Sequence, residues 1–167
     1  MKKLFLALIF FVSFFHSFSQ KVLLSNKAQH LFSNSSNPDT FKVTVTGKTL
    51  LAGKVKFEIK TASNHIIHSE TFPAATWCEY ITDLPVKQQE DAIRQHIKEF
   101  FISSKFRLPA IKRNEKFDAD YYDKALFDEL KSDLSSIGFY YQDAMEGETA
   151  IAWSKKKNKV VNYYAID

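Results

Sequence analysis

The chain has 167 residues, with 23 Lys and Arg against 19 Asp and Glu for a formal net charge of +4, one cysteine and four glycines. A chain of that length makes one domain, able to bury roughly 70% of its unfolded surface. It contains no G-x-x-x-x-G-K, G-x-G-x-x-G, G-x-S-x-G, C-x-x-C or H-E-x-x-H run, which excludes the common nucleotide-binding folds, the α/β-hydrolases and the usual zinc frameworks.

In chain order, Met1-Lys2-Lys3 is a short basic segment and residues 4–15 are apolar apart from Ser13. Small residues follow at Ser17 and Ser19, the pattern of a secretory signal peptide cleaved after Ser19. A retained anchor would need about 18 consecutive apolar residues, and this run is shorter. Ser17-Phe18-Ser19 before Gln20 is similar to the cleavage segments of exported proteins of the Bacteroidetes group. The resemblance implies compartment only, periplasmic or secreted. Loss of Lys2 and Lys3 lowers the charge from +4 to +2. So small a net charge argues against nucleic acid or any general polyanion as partner. After cleavage no integral membrane span is expected. Cys78 is the single cysteine, so no internal disulfide can form and stability must come from the core.

Residues 20–40 read as a flexible leader or a short strand, then the loop Ser-Asn-Ser-Ser-Asn-Pro-Asp, whose side chains hydrogen-bond their own backbone. A single α+β domain is expected over residues 41–167. In residues 41–72, Phe41, Val43 and Val45 alternate with Lys42, Thr44 and Thr46, and Val55, Phe57 and Ile59 with Lys54, Lys56, Glu58 and Lys60. A period of two predicts antiparallel strands with one buried face. The connections fall at residues 47–53 and 61–64, with Asn64 suited to a left-handed turn. A third strand over residues 65–72 closes at Pro73, and residues 76–81 suggest a short edge strand. From Asp83 the period becomes helical: Val86, Ile93, Ile97, Phe100 and Phe101 share one face of a helix over residues 85–103. A second helix is predicted from Ala119 or Asp120, stopping at Gly138, with Tyr122, Leu126, Phe127, Leu130, Leu134 and Ile137 inward. Strands at residues 139–145, 149–154 and 160–166 complete a β3-α2-β3 order. The expected architecture is one antiparallel sheet of about six strands with both helices packed on one face.

Residue clusters that could carry chemistry each have a simpler reading. His65 and His68, three apart on a strand, point to opposite faces and cannot share a metal ion. His96 lies near the inward stripe of the first helix and reads as a boundary histidine. Cys78, beside Trp77, reads as a small buried hydrophobe before a nucleophile. Asp118, Asp120 and Asp123 resemble a fragment of a calcium loop but lack its glycine and closing glutamate, and a helix start accounts for them. Asp143, Glu146 and Glu148 crowd a hairpin where solvated carboxylates would keep ordinary acidity. No catalytic residue, metal or cofactor is therefore expected.

The strongest functional signal is the connection over residues 104–117, long for a link between helices. It interleaves Lys105, Arg107, Lys112, Arg113 and Lys116 with Phe106, Leu108, Ile111 and Phe117. Lys105, Phe106, Arg107, Lys112 and Arg113 are the expected binding residues, against the reading of a loop pinned by its apolar side chains. Lys155 to Lys159 would add a second basic element if it lay nearby. The expectation is an exported, non-enzymatic domain that binds another protein, as envelope inhibitors and immunity proteins do. The alternative is a small periplasmic hydrolase or small-ligand-binding domain.

Overall fold

In the computed structural model, which describes residues 21–142 and 147–165, the alternation over residues 41–72 becomes the centre of a four-stranded antiparallel sheet. Its strands β1 (Val22–His30), β2 (Asp39–Thr46), β3 (Lys54–Lys60) and β4 (Ile66–Pro73) lie in chain order. Phe41 opposes Ile59, Val43 opposes Phe57 and Val45 opposes Val55, and all six are 0% exposed. Asn64 takes the left-handed turn with φ 69°, and Pro73 ends an edge strand that needs no donor on its outer side.

The segment read as a leader or a short strand supplies β1, a full nine-residue edge strand. Its inward positions, Leu24, Asn26, Ala28 and His30, mix polar and small residues, so period-two hydrophobicity could not reveal it. Asn26 turns its amide into the core region and donates to Ile97 O at 2.9 Å and Lys98 O at 3.2 Å. It thereby adds a donor to carbonyls in the last turn of the first helix, where Ile97 O also accepts from Phe100 N at 3.4 Å.

Residues 76–81 are not an edge strand. They belong to a 3₁₀ helix, Ala74–Ile81, whose buried Ala74, Trp77 and Cys78 recur at helical spacing. Helix α1 (Val86–Glu99) is shorter than the expected span and buries Gln89, Ile93 and Ile97, every fourth residue. Glu90 reaches the β2–β3 connection, accepting from Leu50 N at 3.1 Å. Beyond α1, Phe100 is buried and the half-buried Phe101 packs against the same core.

The rest of the chain departs most from expectation. The 104–117 connection contains a two-residue strand, β5 (Phe106–Arg107). Helix α2 (Lys124–Ser132) begins later than expected, with Asp123 as its cap accepting from Leu126 N at 2.8 Å. It also ends before Leu134, which is exposed instead of inward. Strands β6 (Gly138–Gln142), β7 (Glu148–Ser154) and β8 (Lys159–Ala165) follow, and β5-β6-β7-β8 form a second four-stranded antiparallel sheet.

The single six-stranded sheet with both helices on one side is thus replaced by two sheets and two cores. Phe139, Tyr141 and Ile151 face the first sheet and join Phe41, Phe57, Ile93 and Phe100. Tyr140, Ala150, Ala152, Val161 and Tyr163 face the opposite way, beneath Ala110, Ile111 and the α2 residues Leu126, Phe127 and Leu130. The second sheet is the middle layer, buried on both faces. Its strands therefore read as continuous apolar runs, which carry no sign of which face is inside.

One polar contact ties the layers together at an edge. The Tyr141 hydroxyl donates to Glu70 Oε2 at 2.7 Å, and His68 Nε2 lies 3.7 Å from the same oxygen, at ion-pair distance. The neighbouring His68 imidazole, with the Tyr141 hydroxyl, outweighs burial and holds the Glu70 carboxyl below the ordinary glutamate range. A lowered folded-state pKa stabilises the fold above the unfolded value, and that stability is lost as the pH falls through the lowered value. Glu70→Gln is expected to be less stable than wild type at pH 7. The gap should close as the pH drops below roughly 4.3, the unfolded-state value. Urea unfolding across the acid range checks this, and a gap independent of pH would refute it.

Candidate functional site

Four connections converge at one end of the second sheet around an open groove of about 600 Å³, within the roughly 300–1,000 Å³ typical of ligand sites. Residues 31–35 of the β1–β2 connection form one wall and the 133–137 turn between α2 and β6 forms another. Leu108 follows β5, and Trp153 and Lys155 come from the β7–β8 hairpin. The lower surface is apolar, with Phe32 buried and Ile137 and Trp153 half-buried. The rim carries Leu31 at 46% exposure, Leu108 at 67% and Leu134 at 45%. Isolated exposed leucines need no explanation, whereas three lining one depression make a patch.

Local hydrogen bonds fix the walls. Ser33 donates to buried Asp39 through its amide at 2.5 Å and its hydroxyl at 3.0 Å, and Asn34 Oδ1 accepts from Ser36 N at 2.7 Å. These are the self-bonding side chains that the sequence placed in a loop, here making it a shaped wall. Across the groove Ser136 O accepts from Ala110 N at 2.8 Å, and the Ser136 hydroxyl donates to Asp133 O at 2.7 Å. Lys155 Nζ lies 2.7 Å from Asp133 Oδ2 and 3.1 Å from the Ser135 hydroxyl, which itself donates to Asp133 Oδ1 at 2.7 Å. Burial pushes the Asp133 carboxyl up, but the Lys155 and Ser135 bonds outweigh it and hold it below its ordinary range. The hairpin is pinned from below by buried Glu129 on α2, which accepts from Ser154 Oγ at 2.7 Å and Lys156 N at 3.1 Å.

The five expected binding residues are not presented on one surface of the 104–117 connection. Phe106 stacks on His30 with ring centres 3.5 Å apart and lies 4.7 Å from Phe139, so it anchors the strand. Arg107 lies over the Tyr140 ring at 4.7 Å and 3.3 Å from Glu115 Oε2. Glu115 also accepts from the Tyr122 hydroxyl at 2.5 Å and from Lys112 N at 3.2 Å, and its carbonyl accepts from Lys131 Nζ. Lys105 lines a separate small pocket beside Trp77 and His96. Lys112 and Arg113 are exposed. What the fold does bring together is Leu108 of this connection and Lys155 of the lysine-rich turn. Leu31, Asp133, Leu134 and Ser135 were missed as site residues. Their only sequence signal is leucine adjoining loop-forming Ser, Asn and Asp.

The other candidates have structural partners. Cys78 is buried, its Sγ donating to Gln89 O at 3.2 Å, and burial pushes the thiol pKa up, away from the reactive thiolate. His96 stacks on Trp77 at 5.2 Å, and burial lowers its pKa. His65 is exposed and His68 half-buried. Asp118 Oδ1 accepts from Asp120 N at 3.0 Å ahead of the Asp123 cap. Glu148 is exposed, while Asp143, Glu146 and the leading segment at residues 1–19 lie outside the described residues. Among the described residues, no three His, Cys, Asp or Glu side chains are gathered to hold a metal ion, and no helix is long and apolar enough to cross a membrane. Set against family models, curated proteins and solved structures, the chain matches none of them.

Proposed function

We propose that the protein is an exported binding domain without catalytic chemistry of its own, and that it engages another protein through the four-connection groove. The observation that carries this reading is the rim of Leu31, Leu108 and Leu134 over a lower surface containing Trp153, held open by walls with their own hydrogen bonds. Such a depression accepts an apolar side chain at little ordering cost, because the receiving loops are already fixed. The groove's two charged side chains, Asp133 and Lys155, neutralise each other, which suits orientation of a polar backbone better than proton transfer. On this reading Lys112 and Arg113 extend the contact beyond the groove, Phe106 and Arg107 hold the connection in place, and Lys105 stands apart.

Affinity capture from the cell envelope with the chain from Gln20 as bait tests the proposal, followed by calorimetry with the captured partner. Leu108→Asp combined with Leu134→Asp places two charges on the apolar rim. It is expected to weaken binding at least about 30-fold, the effect of losing a central anchor. Recovery of no partner, or equal affinity of wild type and variant, would sink the reading. The groove's volume also suits a small ligand. Capture that depends on Leu108 and Leu134 separates a protein partner from that second possibility.

A further inference from the structure

The outer face of the first sheet has a charge the whole-chain balance conceals. Alternation turns Lys27 of β1, Lys42 of β2 and Lys54, Lys56 and Lys60 of β3 away from the core, with Glu58 the only acid of these strands on that side. Glu58 is already paired with Lys56 at 2.9 Å. Among the described residues, none of the other four lysines lies within ion-pair distance of an acid. Five lysines against one glutamate give this face +4, so the +2 of the chain from Gln20 leaves −2 everywhere else. Lys27 stands directly opposite Lys42, an arrangement that works against the sheet.

We propose that this face docks the protein on an anionic phospholipid bilayer. Outward residues on a strand are about 6.7 Å apart and strands about 4.8 Å apart, so the lysines form a flat lattice. Lysine is a mobile point charge, suited to a fluid array of phosphates, whereas bidentate recognition of a fixed phosphate favours arginine. Between the lysines lie threonine, serine and glutamine, with no aromatic platform on which bases could stack. Ile66, 45% exposed and the register partner of Lys60, adds an apolar contact at one corner. This face shares no residue with the groove.

Among the described residues, every residue of both cores lies between Leu23 and Tyr164, so the chain from Gln20 to Asp167 carries both cores. It should sediment with vesicles of phosphatidylcholine and phosphatidylglycerol in equal parts at low salt, and not with phosphatidylcholine alone. Each lysine is worth about fivefold in partition coefficient. Lys42→Glu with Lys54→Glu should therefore weaken binding at least about a hundredfold. Lys87→Glu with Lys98→Glu, the same charge change on exposed positions of α1, should weaken it by less than about threefold. Lys27→Glu should weaken binding while raising the thermal midpoint, because it creates an opposite-charge pair with Lys42. Three results would each overturn the proposal: no binding to the anionic vesicles, equal losses in the two double variants, or full displacement by soluble polyphosphate at matched phosphate concentration.

Discussion

Phe57→Ala is expected to destabilise the fold by about 3–5 kcal/mol, the range for a fully buried aromatic reduced to a methyl group. The reason lies in which elements the ring joins. Phe57 is 0% exposed in the middle of the first sheet. Its ring centre lies 6.3 Å from Phe41, 5.1 Å from His68, 5.4 Å from Phe100, 6.0 Å from Phe101, 5.5 Å from Phe139 and 5.2 Å from Tyr141. Those partners belong to both sheets and to the segment after α1, so no single element can relax to fill the void. A domain of this size is stable by only about 5–15 kcal/mol, so the variant should lose from roughly a fifth to nearly all of that margin. Phe117→Ala is the control: at 37% exposure, with one aromatic neighbour, Phe127 at 5.5 Å, it should cost less than about 1 kcal/mol. Urea unfolding of both variants measures the difference, and a Phe57→Ala cost below that of Phe117→Ala would contradict the two-sheet core.

The second large effect concerns a single hydrogen atom. A Cβ at Gly138 would lie 2.1 Å from the Tyr163 hydroxyl, 3.1 Å from its Cζ and 3.3 Å from Ala110 Cα. Tyr163 cannot swing aside, being 1% exposed and bonded to Ala110 O at 3.3 Å. Gly138→Ala should therefore cost about 1–3 kcal/mol through overpacking. Backbone conformation contributes little, because Gly138 is outside the left-handed region. Removing the hydroxyl relieves the closest contact and leaves the 3.1 Å one. The double variant Gly138→Ala, Tyr163→Phe should accordingly be more stable than the sum of the two single losses, by about 1 kcal/mol in a double-mutant cycle. Strict additivity would show that the two side chains do not meet.

The difference between what the sequence revealed and what it hid follows from how burial is patterned. β2 and β3 were legible because one face is dry and the other wet, so Phe41 to Val45 and Val55 to Ile59 alternate with lysine and threonine. The second strand of the 139–154 hairpin is legible because Thr149, Ile151 and Trp153 share one face, but the hairpin's layer is not, because residues buried on both faces lose the contrast that would show which side is inside. β1 was read as a leader or short strand because its inward side carries Asn26 and His30, whose value lies in specific partners. The groove was scarcely legible at all. Its walls come from residues 31–35, 108, 133–137, 153 and 155, and only the folded topology brings them together. The near-neutral total charge likewise gives no sign of the lysine face of the first sheet, because it averages that face with the rest of the chain.

Asn26 has a consequence for how the chain chooses one pairing among several. β1 is an edge strand with a weakly apolar inner side, so sliding it along β2 by two residues would keep every side chain on its own face. Such a slip costs little in hydrophobic burial at Leu24 and Ala28, which would exchange places among similar surroundings, although it would part His30 from Phe106. It would, however, move Leu24 or Ala28 beneath the end of α1 and leave the Ile97 and Lys98 carbonyls without the donor they now share. The Asn26 amide, together with the His30 ring stacked on Phe106, thus makes the registers unequal, and part of the uniqueness of alignment is supplied by a residue that adds almost nothing to the core.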